Sequence, residues 1–229
     1  IKLESENFMA HYELGHLFLR KNSFKSALDC YKKCQHANPN FSYAKKMKAE
    51  CYFALGMSSL AISEYDEIDI EKQPDAEKLD MKLHLATYKT FTQDYDEAIS
   101  LYEEINYDRK TATDTWPDFL PSFFTNWVSS LQKTERVNDE IRVLKLALDE
   151  LESTKYDIHY GKFAHDLALR YLTLEQIENS INICKNALKK DPEIWPVLLV
   201  YAVCFLEKNE PENALSNLNI GKITMTVQM

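Results

Sequence analysis

Glycine is scarce in this chain, with 4 among 229 residues, where average usage of about 7% would supply roughly 16. That shortage disfavours folds built on Gly-rich turns, including nucleotide-binding loops, β-barrels and β-sandwiches. Positive charge is also short. With 27 basic against 36 acidic side chains the net charge is −9, so phosphate counterions are not released in bulk. Direct binding of nucleic acid or of an anionic membrane is therefore not expected. Long apolar runs are missing too. The longest nearly uninterrupted one, Trp195 to Leu206, contains Pro196 and falls well short of the roughly 20 residues a membrane span needs.

Chemistry-bearing motifs are absent as well. There is no GxGxxG, GxxxxGKS/T, HExxH or GxSxG, and no paired Cys/His metal spacing. Nothing points to an enzyme, and neither cofactor nor metal is expected. Five cysteines, at 30, 34, 51, 184 and 204, form an odd set without CxxC. They argue against a disulfide framework and for an intracellular, reducing compartment, cytoplasm or nucleus, rather than secretion. A metal site from Cys30, Cys34, His36 and Cys51 is the sharper reading of the first three. Burial as small hydrophobes between packed helices is the favoured one.

What is present is an ordinary globular composition, 45% hydrophobic and 28% charged, arranged as a repeat. The first copy reads Tyr12, Leu14, Gly15 and Phe18, then Ala27, Tyr31 and Cys34, then Pro39. The same order returns in Ala49, Tyr52, Ala61, Tyr65, Ile68 and Pro74, and again in Leu85, Ala86, Ala98, Tyr102 and Ile105. Three weaker copies follow around Trp127 and Ile141, Leu167 and Ile181, and Ala202 and Ala214. The small-residue anchor of the second helix falls at 27, 61, 98, 140, 180 and 214, at intervals of 34, 37, 42, 40 and 34 residues.

Apolar residues at i, i+3, i+4 and i+7 within each copy predict two amphipathic helices of about a dozen residues. Pro39, Pro74 and Pro192 are expected to close the second helix of their copies. One such hairpin cannot bury both faces, so the copies must stack. The fold class expected is all-α.

The grammar Leu-Gly-x2-aromatic, Ala-x3-aromatic, Pro resembles the tetratricopeptide (TPR) family, whose unit is about 34 residues. The resemblance covers roughly residues 8 to 221. It implies a right-handed α-solenoid of about six repeats in a single array across 1–229. The expected repeats are 8–41, 42–75, 79–106, 119–152, 161–192 and 195–221. The surplus spacing between the third and fourth copies implies an inserted loop at 107–118. There a mobile loop is favoured over a docking loop anchored by Trp116 and Phe119. Ile1 and the tail from Gly221, which has no polar capping helix, are expected to be cuts through a longer chain.

In this family the concave groove is lined mainly by the first helix of each repeat and takes a peptide or helix of a partner. Carried over by position, the candidate partner-binding residues are Tyr12 and His16, then Tyr43, Lys46, Met47, Glu50 and Phe53. Further along come His84 and Phe91, Asn126, and lastly Leu199 and Val203. Leu199, Val200 and Val203 are expected to form an exposed apolar patch, covered by a following helix of the native chain in preference to a partner helix.

The family's clamp for acidic chaperone C-termini uses Lys and Asn, then Asn, then Lys and Arg, at positions that here hold Tyr12 and His16, then Met47, then Asp80 and His84. A ligand of that kind is not expected, nor is a small molecule. The resemblance thus implies a non-catalytic scaffold or adaptor within a multiprotein assembly. Two alternatives stay open: a reversible peptide receptor, and a regulatory array attached to a larger enzyme.

Overall fold

Three- and four-residue apolar spacing closes into helices along the chain. The computed structural model describes residues 7–108, 120–152 and 157–216, and no strand occurs among them. The helices are α1 (Phe8–Arg20), α2 (Phe24–Ala37), α3 (Ser42–Ala54), α4 (Ser58–Asp66), α5 (Asp75–Phe91) and α6 (Tyr95–Asp108). They continue with α7 (Leu120–Lys133), α8 (Val137–Leu151), α9 (Asp157–Thr173), α10 (Ile177–Lys190) and α11 (Trp195–Glu207). Residues 211–216 form a further helical turn. Contacts divide the chain into two compact units, 1–115 and 116–229. In the first, successive helices pack antiparallel from α1 to α6; in the second, α7 to α11 do the same, with α11 also meeting α9.

One turn recurs in every hairpin. A residue in the left-handed region ends the first helix of each pair: Asn22, Gly56, Gln93, Glu135, Glu175 and Asn209, with φ from 54° to 77°. The next residue sends its N–H back five positions to a carbonyl of that helix. Ser23 reaches Phe18 at 2.9 Å, Met57 reaches Tyr52 at 2.8 Å and Asp94 reaches Lys89 at 2.9 Å. Arg136 reaches Leu131 at 3.0 Å, Gln176 reaches Tyr171 at 2.9 Å and Glu210 reaches Phe205 at 2.8 Å. This is the Schellman closure, which satisfies otherwise orphaned carbonyls at a helix C-terminus.

Five residues beyond each left-handed position stands a buried anchor: Ala27, Ala61, Ala98, Glu140, Ser180 and Ala214. The anchor's own N–H starts the second helix by bonding the carbonyl of the residue four before it. Turn and close helix approach are therefore one device, repeated six times.

Two anchors break the small-apolar rule and are compensated. Glu140 is 2% exposed, yet its carboxylate takes Arg170 from α9 at 2.7 Å and the Gln132 amide from α7 at 2.8 Å. The Ser180 hydroxyl donates to the Ala168 carbonyl at 2.8 Å and faces the Cys204 thiol at 3.1 Å. Such partners offset the cost of taking a polar group out of water.

Large side chains fill the rest. Tyr31 packs with Ala27, Leu28, Met47 and Cys51, and Tyr65 and Tyr88 pack with Ala49, Ala61, Ile68 and Met81. In the second unit Phe123, Phe124 and Trp127 of α7 form the corresponding aromatic core.

Pro39 and Pro192 follow the C-caps of α2 and α10, Asn38 and Asp191. Pro74 does not close a helix: α4 already ends at Asp66, and Pro74 is the N-cap of α5 after a 3₁₀ turn at Ile70–Lys72. Its fixed φ and missing N–H suit a helix start equally well. Trp116 and Phe119, residues 109–118 of the expected loop, the start of the chain and the tail from Gly221 lie outside the described residues.

Candidate functional site

In the first unit the opening helices of the three hairpins, α1, α3 and α5, carry a joined strip of rings and charges. Packing against the second helices uses the faces holding Gly15, Ala49 and Ala86, all buried. Tyr12 and His16 border the Gly15 face, both reaching the Tyr31 ring at 5.9 and 5.7 Å, and Phe53, one turn beyond Ala49, packs beside the core that holds Ala49 and Tyr88.

At one end Tyr12 sits edge-on to His16, with centroids 4.4 Å apart, and to Phe41 at 5.2 Å. Phe41 also meets Phe8 at 5.3 Å and Tyr43 at 5.4 Å. At the other end Phe53 stacks on Tyr88 at 4.5 Å and meets Phe91 edge-on at 5.0 Å. Phe91 is 63% exposed.

Charged groups lie between the two ends. The Tyr43 hydroxyl donates to Glu77, and Lys46 is paired with Asp80, each across 34 residues of sequence. Equivalent positions of neighbouring repeats thus face each other along the strip. Asp80 also meets the His84 imidazole at 3.6 Å. Burial pushes the Asp80 carboxyl up, but His84 and Lys46 outweigh it and hold it at about 2.

Glu50 differs. Burial raises its carboxyl above the ordinary glutamate value; His84, Lys46 and His16 pull it back, and Asp80 pushes it further up. The Tyr12 hydroxyl is raised first by burial, then by the negative charges of Glu13, Glu50 and Glu77.

Of the sequence-expected residues, Tyr12, His16, Tyr43, Lys46, Glu50, Phe53, His84 and Phe91 come together in this strip. Met47 does not. It is 7% exposed and belongs to the core around Tyr31 and Cys51, because the position after Lys46 has rotated towards α2.

Asn126, half-buried on α7, and Leu199 and Val203 on α11 belong to the second unit. Leu199 is 46% exposed, whereas Val200, expected beside it on the surface, is buried at 4%. Here too one step around the helix turns a side chain inward. Phe8, Phe41 and Glu77 belong to the strip and were not among the expected residues. Phe41 lies just before α3, where the helical pattern gives no signal, although an aromatic residue two positions before Tyr43 was visible.

The cysteines are buried free thiols. Burial raises all five, pushing Cys51 and Cys184 up to about 12. Such thiols are inert at neutral pH. Cys30, Cys34 and Cys51 are buried while His36 is exposed. Among the described residues no group of three or more His, Cys, Asp or Glu is arranged to hold a metal ion. Nor is any described helix long and apolar enough to cross a membrane.

The tetratricopeptide repeat family model matches residues 12–77, the stretch that holds α1 to α4. No curated protein matches the chain significantly by sequence. Among solved structures, the C-terminal part of a TPR repeat-containing protein from Cytophaga hutchinsonii is similar over 91% of this chain and 77% of its own, at 14% identity and a TM-score of 0.70. PilF of Pseudomonas aeruginosa is similar over 96% of this chain and 92% of its own, at 14% identity and a TM-score of 0.63. One chain of the APC/C hetero-tetramer Cut9-Hcn1 is similar over 94% of this chain and 39% of its own, at 16% identity and a TM-score of 0.53. At these identities the likeness is one of fold: an all-α solenoid of helix-turn-helix repeats.

Proposed function

We propose, from the premise that this chain carries tetratricopeptide repeats, that it is a non-catalytic scaffold whose first unit holds a peptide or helix of a partner protein. TPR folds serve protein–protein interaction in general, and the strip on α1, α3 and α5 is the observation that makes a binding role specific here. Its rings form two groups, one around Tyr12 and Phe41 and one around Phe53, Phe91 is left largely in solvent, and polar groups lie between them. That mixture is the composition of interface hot spots, where aromatic anchors do most of the work within a polar surround. The strip offers no nucleophile–base pair and no metal-binding cluster, so holding rather than transforming is what it supports.

The leading version is a subunit of a stable assembly. The similarity to a chain of the Cut9-Hcn1 hetero-tetramer supports that version by analogy of fold alone.

Affinity capture from the source cell extract tests both statements, using the whole chain beside a Tyr43→Ser, Phe91→Ser variant whose helicity is first matched to the parent. A stoichiometric, salt-resistant partner that the variant loses supports a subunit bound through this face. Substoichiometric partners sharing one short motif favour a reversible receptor. A partner retained equally by the variant removes the face from consideration.

A further inference from the structure

Within the strip, Glu50 is a half-buried carboxylate that, among the described residues, no hydrogen bond or ion pair holds. Lys46, the ammonium on the preceding turn, is held by Asp80. Glu77 already accepts from Tyr43. Around the Tyr12 ring stand Glu13, Glu50 and Glu77, and Asp80 lies beyond them. Against these four carboxylates the candidate face offers Lys46, committed to Asp80, the imidazoles of His84 and His16, and, at the far end of α1, Arg20. The surface is therefore rich in rings and net negative at the same place. A half-buried carboxylate without a partner is unfavourable in the free protein, and what relieves it is a cation.

We propose that Glu50 receives a lysine or arginine side chain of the partner segment, whose aliphatic stem lies along the rings of Tyr12 and Phe53. The inference rests on the reading of this face as the binding surface. The occupant is a segment of a partner protein with a basic residue beside apolar ones. Charge complementarity selects it, since an acidic segment would meet four carboxylates where the nearest ammonium, Lys46, is already held by Asp80. Rings beside the carboxylate add to the preference, because aromatic faces attract ammonium and guanidinium groups. They also cover the long stems of both side chains.

The test is selection of a random-peptide phage library on the 229-residue chain, followed by binding measurements with a synthesised peptide from the enriched set. Enrichment of Lys or Arg beside apolar residues is expected. Glu50→Gln, which keeps shape and removes charge, should weaken that peptide at least about tenfold, and Tyr43→Ser with Phe91→Ser should weaken it too.

Peptides that need Tyr43 and Phe91 but show no basic preference, or bind Glu50→Gln as well as the parent, overturn the role of Glu50 and leave the face standing. Peptides indifferent to all three substitutions, a library with no binders, or self-association of the chain through this face overturn the peptide-binding face and the role of Glu50 together.

Discussion

The ring of Tyr31 occupies the space that a side chain on Gly15 would need: a Cβ at residue 15 would stand 2.5 Å from Tyr31 Cε1 and 2.6 Å from Cζ. Gly15 is in the middle of α1 and Tyr31 in the middle of α2, so the missing side chain sets how closely the first hairpin closes. Tyr31 is fully buried and has no free direction in which to retreat.

Gly15→Ala should therefore destabilise the first unit, by about 1–3 kcal/mol as overpacking usually does, despite the gain in helix propensity. Urea unfolding followed by circular dichroism measures it. Adding Tyr31→Leu should recover part of the loss, and a double variant no more stable than the sum of the two singles would show that the two sites do not act on each other.

Arg170 is the counter-charge of a carboxylate that has left water. Arg170→Ala strands Glu140, and the expected cost is about 3–5 kcal/mol, the usual effect of breaking a buried pair from one side. Glu140→Ala with Arg170→Ala together should cost less than Arg170→Ala alone, because the stranded carboxylate is gone and alanine is the anchor used in four of the six hairpins. Thermal unfolding of the three variants decides the order.

Glu50 makes stability depend on pH in a definite sense. Its folded-state pKa is raised, so its contribution is fully present below the unfolded glutamate value and is lost as pH rises through the folded one. Glu50→Gln should raise Tm near pH 7, with the gain vanishing below about pH 4. Melting curves across that range check it, and a gain that persists undiminished at low pH would rule out the charge as its cause.

Glu135 and Glu175 hold left-handed backbone that glycine adopts without strain. Glu135→Gly and Glu175→Gly should each stabilise by roughly 0.5–1 kcal/mol, the relieved strain exceeding the added unfolded-state entropy. Equivalent changes in the middle of α8 or α10 should destabilise by about as much, which makes the contrast measurable in one set of denaturation curves.

The helix pairs and their fold were legible because small anchors and aromatic fillers recur at intervals that a helical hairpin requires. Asn22, Gly56 and Asn209 are residue types that take the left-handed region readily. Gln93, Glu135 and Glu175 are not, and there the backbone closure and the buried anchor five residues on impose the conformation. The strip was half legible. Tyr12, His16 and Glu50 follow from counting along a helix, but Met47 and Val200 lie one position too far round it for a periodicity of 3.6 to resolve by eye. Phe41 escaped because it stands on a link between repeats. The pairing of Lys46 with Asp80 joins neighbouring repeats, and no single helix's pattern contains it.

The offset of five residues between left-handed turn and buried anchor is the same in all six hairpins, while the spacing from one anchor to the next varies between 34 and 42 residues. The variation falls between an anchor and the next left-handed turn, where helix lengths differ as well as links, from 9 residues in α4 to 17 in α5 and α9. The fixed part is thus the five-residue corner alone, so helices and links can lengthen or shorten around it without re-solving how the two helices of a hairpin first meet.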